Sequence, residues 1–83
     1  MEYFVYIVEC ADTTFYTGIA RDVAKRMLEH NGEGHAGAKY TRGRRPVRLT
    51  YQEKCATRSD ALIREHAIKS LSRADKKHLI RTQ

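Results

Sequence analysis

FYTGIARDVAKRMLEH, residues Phe15 to His30, changes its hydrophobic period part-way along. Phe15, Tyr16 and Thr17 are aromatic and β-branched types that fit a pleated strand. After Gly18 the period lengthens: Val23, Met27 and His30 fall at i, i+4 and i+7, one stripe of a helix. Glycine lacks a Cβ, so Gly18 reads as the point where the backbone turns sharply or approaches a ligand closely. Arg26, three residues after Val23 and four before His30, lies at the edge of the stripe. An arginine and a histidine beside the core-facing side of a helix suit the lining of a cleft better than plain solvation.

On the N-terminal side, Tyr3 to Cys10 (YFVYIVEC) reads as a strand with little polar face. Ala11-Asp12-Thr13-Thr14 carries turn chemistry, and Phe15-Tyr16-Thr17 returns as the second arm of an antiparallel hairpin. Strand side chains alternate, so Tyr6 and Tyr16 share a face only if the connecting loop has an odd number of residues. A four-residue loop separates them, three residues unite them, and the sequence does not choose. The helix that follows runs from about Asp22, an acid near its positive end, to His30. Asn31-Gly32 ends it through the left-handed conformation these residues tolerate.

Gly32 to Pro46 holds four glycines and one proline and reads as a long mobile loop, a type that is usually functional. Val47 to Glu53 alternates as a third strand. Thr57 with Asp60 and Ser72 with Asp75 match helix-start signals. The first opens a helix from about Arg58 to Ser70, whose apolar arc is Ala61, Leu62, Ile63, Ala67, Ile68 and Leu71. The second opens a short last helix holding Leu79 and Ile80. The fold class expected is α/β of the α+β type: a small three-stranded antiparallel sheet flanked by helices, in the order β-β-α-β-α-α. Residues 1–83 are expected to form a single domain.

The net charge of +6 gives the chain a long-range attraction for polyanions, although small domains also carry such charge for solubility. Its longest apolar run, near Val5 to Val8, is too short to span a bilayer. No leader is legible, and the two cysteines, Cys10 and Cys55, are too few for a disulfide framework, so a cytoplasmic setting is the default. Lys39, Tyr40, Arg42, Arg44, Arg45 and Arg48 interleave five basic residues with a tyrosine and no acid. That mixture suits phosphate contact with base stacking by Tyr40, and it also describes a solvated flexible loop. Glu65 falls inside an apolar arc, where a carboxylate needs a salt bridge or a cation; both readings stay open. Arg26 can instead snorkel or pair with Glu9 or Glu65. The histidines and cysteines show no zinc spacing.

Taken in order, these residues resemble the GIY-YIG nuclease family. Phe4-Val5-Tyr6 stands where that family's Gly-Ile-Tyr triplet falls, and Tyr16-Thr17-Gly18 where its Tyr-Ile-Gly falls. Arg26 matches its helical arginine, His30 a histidine one turn later, and Glu65 its glutamate behind an Ala-Leu lead-in. A Lys-Tyr-Thr-Arg-x-Arg-Arg-Pro run and an Ile-Lys-x-Leu-Ser-Arg segment are similar to those of short stand-alone members. The first triplet keeps only its tyrosine, and the asparagine that the family tends to place after the glutamate helix is missing; the chain's one asparagine is Asn31.

The resemblance implies metal-assisted hydrolysis of DNA phosphodiesters, in DNA repair or structure-specific cleavage, with RNA as another polyanion of the same class. Tyr6 would be base or relay, with Tyr16 and His30 as partners. Arg26 would stabilise the charge-rich transition state, and Glu65 would hold one Mg²⁺ or Mn²⁺. Two other classes stay open: a nucleic-acid-binding module of the same fold that cleaves weakly or not at all, and a protein-interaction domain whose basic loop docks an acidic partner. Oligomeric state is not legible.

Overall fold

The structure is a computed structural model that describes residues 2–32 and 38–83. Three strands, β1 (Tyr3–Glu9), β2 (Phe15–Ala20) and β3 (Arg48–Cys55), form one antiparallel sheet in the order β2-β1-β3. Four helices accompany them: α1 (Val23–Asn31), α2 (Lys39–Arg42), α3 (Arg58–Lys69) and α4 (Arg73–Arg81). The expected order holds, with one addition. Part of the glycine-rich loop winds into α2, a single turn; residues 33–37, including Gly34, His35 and Gly37, lie outside the described residues.

Putting β1 in the centre explains why its sequence lacks a polar face. Val5, Tyr6, Ile7 and Val8 are all buried because helices cover both sides of the sheet. Val5 and Ile7 pack with Tyr51, Ala61 and Ile68 on one side. Tyr6 and Val8 pack with Cys10 and Val47 on the other, with Met27 of α1 against them. The hairpin settles the parity question. Its connection is the five residues between Glu9 and Phe15, and the register pairs Tyr6 with Gly18 and Val8 with Tyr16. Tyr6 and Tyr16 therefore share a face. Asp12 holds the turn by accepting bonds from the Thr14 amide and hydroxyl, and Thr13 takes a left-handed φ of 68°.

Thr57 and Ser72 cap their helices where the sequence placed them, and Asp22, read only as an acid near the positive end of α1, caps as well. Asp22, Thr57 and Ser72 accept from the backbone amides of Lys25, Asp60 and Asp75, each typically worth about 1 kcal/mol. Three other expectations change. Gly32 ends α1 in an extended conformation (φ −77°), not a left-handed one. The closing contact is made by Asn31, whose carboxamide accepts from Val47 N at 2.6 Å and donates to Val47 O at 3.0 Å. Gly18 makes no turn: β2 runs through it to Ala20.

The apolar arc of α3 is also narrower than expected. Ala61 and Ile68 are buried, but Leu62 is 37% exposed and Ile63 71%, and Ala67 is exposed. Residues advance 100° each around a helix, so 62 and 63 swing off the stripe that meets a three-stranded sheet. An Arg64–Glu53 ion pair ties the flank of α3 to β3. No described helix is long and apolar enough to cross a membrane.

One buried hydroxyl, Oγ1 of Thr17, has no hydrogen-bond partner among the described residues. Replacing it with a methyl group removes a desolvated polar atom at nearly constant volume. Thr17→Val is expected to stabilise the fold by about 1 kcal/mol, read as a melting temperature raised by roughly 4–8 °C in a domain of this size. A lower melting temperature would mean that the hydroxyl is satisfied.

Candidate active site

Gly18 is required by what lies above it. A Cβ built there would sit 2.5 Å from the Tyr6 hydroxyl and 2.7 Å from its ring carbon. The missing side chain is the space into which the Tyr6 ring folds. From there Tyr6 Oη reaches Nε2 of His30 on α1 at 2.8 Å, and His30 Nδ1 meets Thr41 Oγ1 of α2 at 2.8 Å. Thr41 Oγ1 donates to the Ala38 carbonyl at 2.9 Å. A hydroxyl has one proton, so Thr41 accepts from His30. That assigns the Nδ1–H tautomer and leaves Nε2 to accept from Tyr6. The whole chain therefore points one way, from Tyr6 through His30 and Thr41 to Ala38.

Burial sets the proton affinities. His30 has no exposed surface, and desolvation, with Arg26 and Arg45 adding like charge, lowers its pKa to about 4. It is a neutral imidazole at pH 7. Burial also pushes Tyr6 up to about 12 against a hydrogen bond from Arg26; the charges of Tyr16 and Glu65 add to the rise. Proximity to Arg26 alone would have lowered it, and desolvation wins.

Those effects also locate the other candidates. Arg26 donates to Tyr6 and to Glu29 Oε1 at 2.9 Å. Glu65 sits on α3 between the buried Ala61 and Ile68, with its side chain 17% exposed and close enough for its charge to act on Tyr6. Its ion pair with Lys69 spans 3.5 Å, longer than a hydrogen bond. Tyr16 lies with its ring centroid 5.5 Å from His30 and 6.4 Å from Tyr6. Arg26 of α1 thus acts on Tyr6 through a hydrogen bond, whereas Glu65 acts only through its charge, from a helix whose Ala61 and Ile68 pack on the opposite, Val5–Ile7 face of the sheet.

The basic run does two jobs. Arg44 binds Asp12 and the Tyr40 carbonyl, Arg45 donates to the His30 carbonyl, and Arg48 pairs with Glu9. Tyr40, read as a residue for base stacking, stacks on Tyr16 within the chain (5.8 Å, 26°) and carries the Arg44 guanidinium 4.0 Å from its ring centre. These contacts build the wall of the site. Lys39 and Arg42 are exposed on α2. Two further cations, Arg21 and Lys25, line a groove of about 390 Å³ with Arg26 and Glu29.

Sequence reasoning missed Thr41, Arg21 and Lys25. Thr41 pairs across eleven residues through a one-turn helix too short to show a period. Arg21 and Lys25 did carry a signal, since they flank Asp22 at the start of the arginine helix.

Comparison with known proteins finds relatives of the same family and fold. The family model described as the GIY-YIG catalytic domain matches residues 2–78. A UPF0213 protein of Desulfotalea psychrophila is 54% identical over 79 residues, covering 95% of this chain and 71% of that one. A UPF0213 protein of Staphylococcus saprophyticus is 51% identical over 79 residues, covering 95% and 94%. The solution NMR structure of a UPF0213 protein from Bacillus halodurans superposes with a TM-score of 0.63 at 40% identity, covering 100% of this chain and 86% of that one. A second NMR structure, of a protein from E. faecalis, gives 0.65 at 34% identity, covering 99% and 85%.

Two outcomes follow from the buried chain. His30 binds its proton less well folded than unfolded, so its contribution is complete above the unfolded pKa of about 6.5 and is lost as pH falls towards 4. Melting temperature should drop across that window, by the equivalent of roughly 3 kcal/mol, and His30→Gln should show a shallower drop. Gly18→Ala should displace Tyr6 and cost about 1–3 kcal/mol, measured by denaturant unfolding; an unchanged midpoint would show that the ring has room to move.

Proposed function

This chain belongs to the GIY-YIG catalytic domain family, and we propose on that footing that it is an endonuclease domain that hydrolyses DNA phosphodiester bonds. The observation that carries the reading is the directed Tyr6–His30–Thr41 hydrogen-bond chain with the Arg26 guanidinium beside the Tyr6 hydroxyl. Arg26 stays charged and meets the phosphoryl oxygens as charge builds there. Tyr6 holds the attacking water and passes a proton along its own O–H to Nε2 of His30, so that no free phenolate has to form. Thr41 keeps the imidazole in the tautomer that can accept. Tyr16 fixes the ring from its side.

Among the described residues no cluster of three His, Cys, Asp or Glu side chains could cage a metal. Glu65 is a single carboxylate, loosely paired and partly open. One carboxylate, with water and phosphate oxygens completing the shell, is how Mg²⁺ and Mn²⁺ are usually held at phosphate sites, so Glu65 fits one such ion. Bound there, the ion would lower the pKa of a coordinated water and offset phosphate charge. Lys39, Arg42, Arg21 and Lys25 supply the basic surface for the flanking backbone. Action in DNA repair or on branched DNA belongs to the same reading.

One observation favours a second reading, a binding module that cleaves weakly. Burial holds Tyr6 up at about 12 and His30 down at about 4, so in the free protein the proton stays on the tyrosine. A substrate that does not change this environment would be bound and left intact.

The test is cleavage of nicked, branched and single-stranded DNA with Mg²⁺ or Mn²⁺. Arg26→Ala and Glu65→Gln should each lose about 100-fold or more in rate while still binding DNA. Binding without cleavage by the unaltered chain selects the module, and RNA oligonucleotides of the same sequence test the substrate class.

A further inference from the structure

A groove of about 380 Å³ at the hairpin end of the sheet takes no part in the chemistry above. It lies between α4 and the ends of the three strands. Phe15 and Ile80, both packed on the Val5–Ile7 cluster, provide apolar walls. Arg48, Lys77 and Arg81 provide positive charge, and Glu9 is spent on Arg48 at 2.6 Å. Among the described residues, Lys77 and Arg81 have no carboxylate within ion-pair distance. Arg73, Lys77 and Arg81 recur every fourth residue, about 6 Å apart along α4. Arg73 starts that row at the hairpin turn, over the Phe15 ring and bonded to the Thr13 carbonyl.

The groove is separate from the candidate centre. The Glu9–Phe15 pair is three positions along the hairpin from Tyr6–Gly18, roughly 10 Å at strand spacing. Phe15 packs on the Ile7 side of the sheet and Tyr6 on the other.

We propose that this groove binds one nucleotide unit of a single-stranded nucleic acid, with the base against Phe15 and Ile80 and the phosphate between Lys77 and Arg81. Two cations without acidic partners reject a neutral apolar ligand. The apolar walls reward an unstacked base, which a duplex does not offer. The volume matches a pocket for a small-molecule-sized group, and a positive groove with an aromatic wall is how single strands are held. The choice of nucleic acid as the anion rests on the nuclease reading. An unpaired strand that leaves the centre and passes the hairpin turn would be held at two places, which raises its affinity through effective concentration.

The test is fluorescence anisotropy with a 5′-labelled single-stranded 12-mer and a blunt hairpin duplex. Lys77→Glu/Arg81→Glu should weaken the 12-mer about tenfold or more, with Lys77→Gln/Arg81→Gln giving a smaller loss in the same direction. Lys54→Glu/Arg58→Glu, with the same change in net charge, should cost less than about threefold. In NMR titrations of the full chain, dTMP should shift the Thr50 and Ile80 amides where inorganic phosphate at equal concentration does not.

Equal losses in both charge-reversed variants would reduce the effect to net charge and overturn the proposal. So would equal shifts with phosphate alone, a duplex loss as large as the 12-mer loss, or a poly-glutamate peptide that binds the groove as tightly. If the unaltered chain cleaves nothing yet loses the 12-mer selectively on Lys77→Glu/Arg81→Glu, the nuclease reading fails and the groove stands.

Discussion

The hydrogen bond from Tyr6 to His30 joins the central strand to the first helix, and the geometry of the site depends on it. It exists because Gly18 leaves room on the neighbouring strand for a phenol to lie flat. Tyr6 is held in a strand buried on both faces, so its backbone has little freedom. His30 is fixed at its other nitrogen by Thr41 and at its carbonyl by Arg45. A ring with both nitrogens bonded cannot flip or change tautomer without breaking a bond. The polar chain is thus one directed unit threading a side of the sheet that is otherwise apolar.

Desolvation dominates the electrostatics of that unit. Arg26 alone would draw Tyr6 towards ionisation, yet burial holds it up at about 12 and holds His30 down near 4. The Tyr6–His30 pair is therefore neutral at rest, with the Arg26 guanidinium beside it. Ionisation of either group needs a change in this desolvated environment.

The basic residues fall into groups by their place in the fold. Arg44, Arg45 and Arg48 are engaged with Asp12, His30 and Glu9, and they hold the chain after α2 against the hairpin. Arg21, which lies over the Tyr3 ring, and Lys25, Lys39 and Arg42 are exposed beside the site, and Lys77 and Arg81 are exposed beyond the hairpin. A single net charge thus conceals cations in three different settings.

Much of this was legible in the chain itself. Strand and helix periods, the capping residues Thr57 and Ser72 and the sheet's three strands follow from local steric and hydrogen-bonding preferences, which act over a few residues and so leave a mark in sequence. The candidates Tyr6, Tyr16, Arg26, His30 and Glu65 were legible through resemblance to a family. The tertiary structure alone decided the hairpin's odd connection, the real reason for Gly18, the Asn31–Val47 clasp, the His30–Thr41 bond and the narrow contact stripe of α3. Each of these joins residues far apart in the chain or depends on how much water is excluded. Neither distance across the fold nor desolvation has a local sequence signature, and the proton affinities of Tyr6 and His30 are set by both.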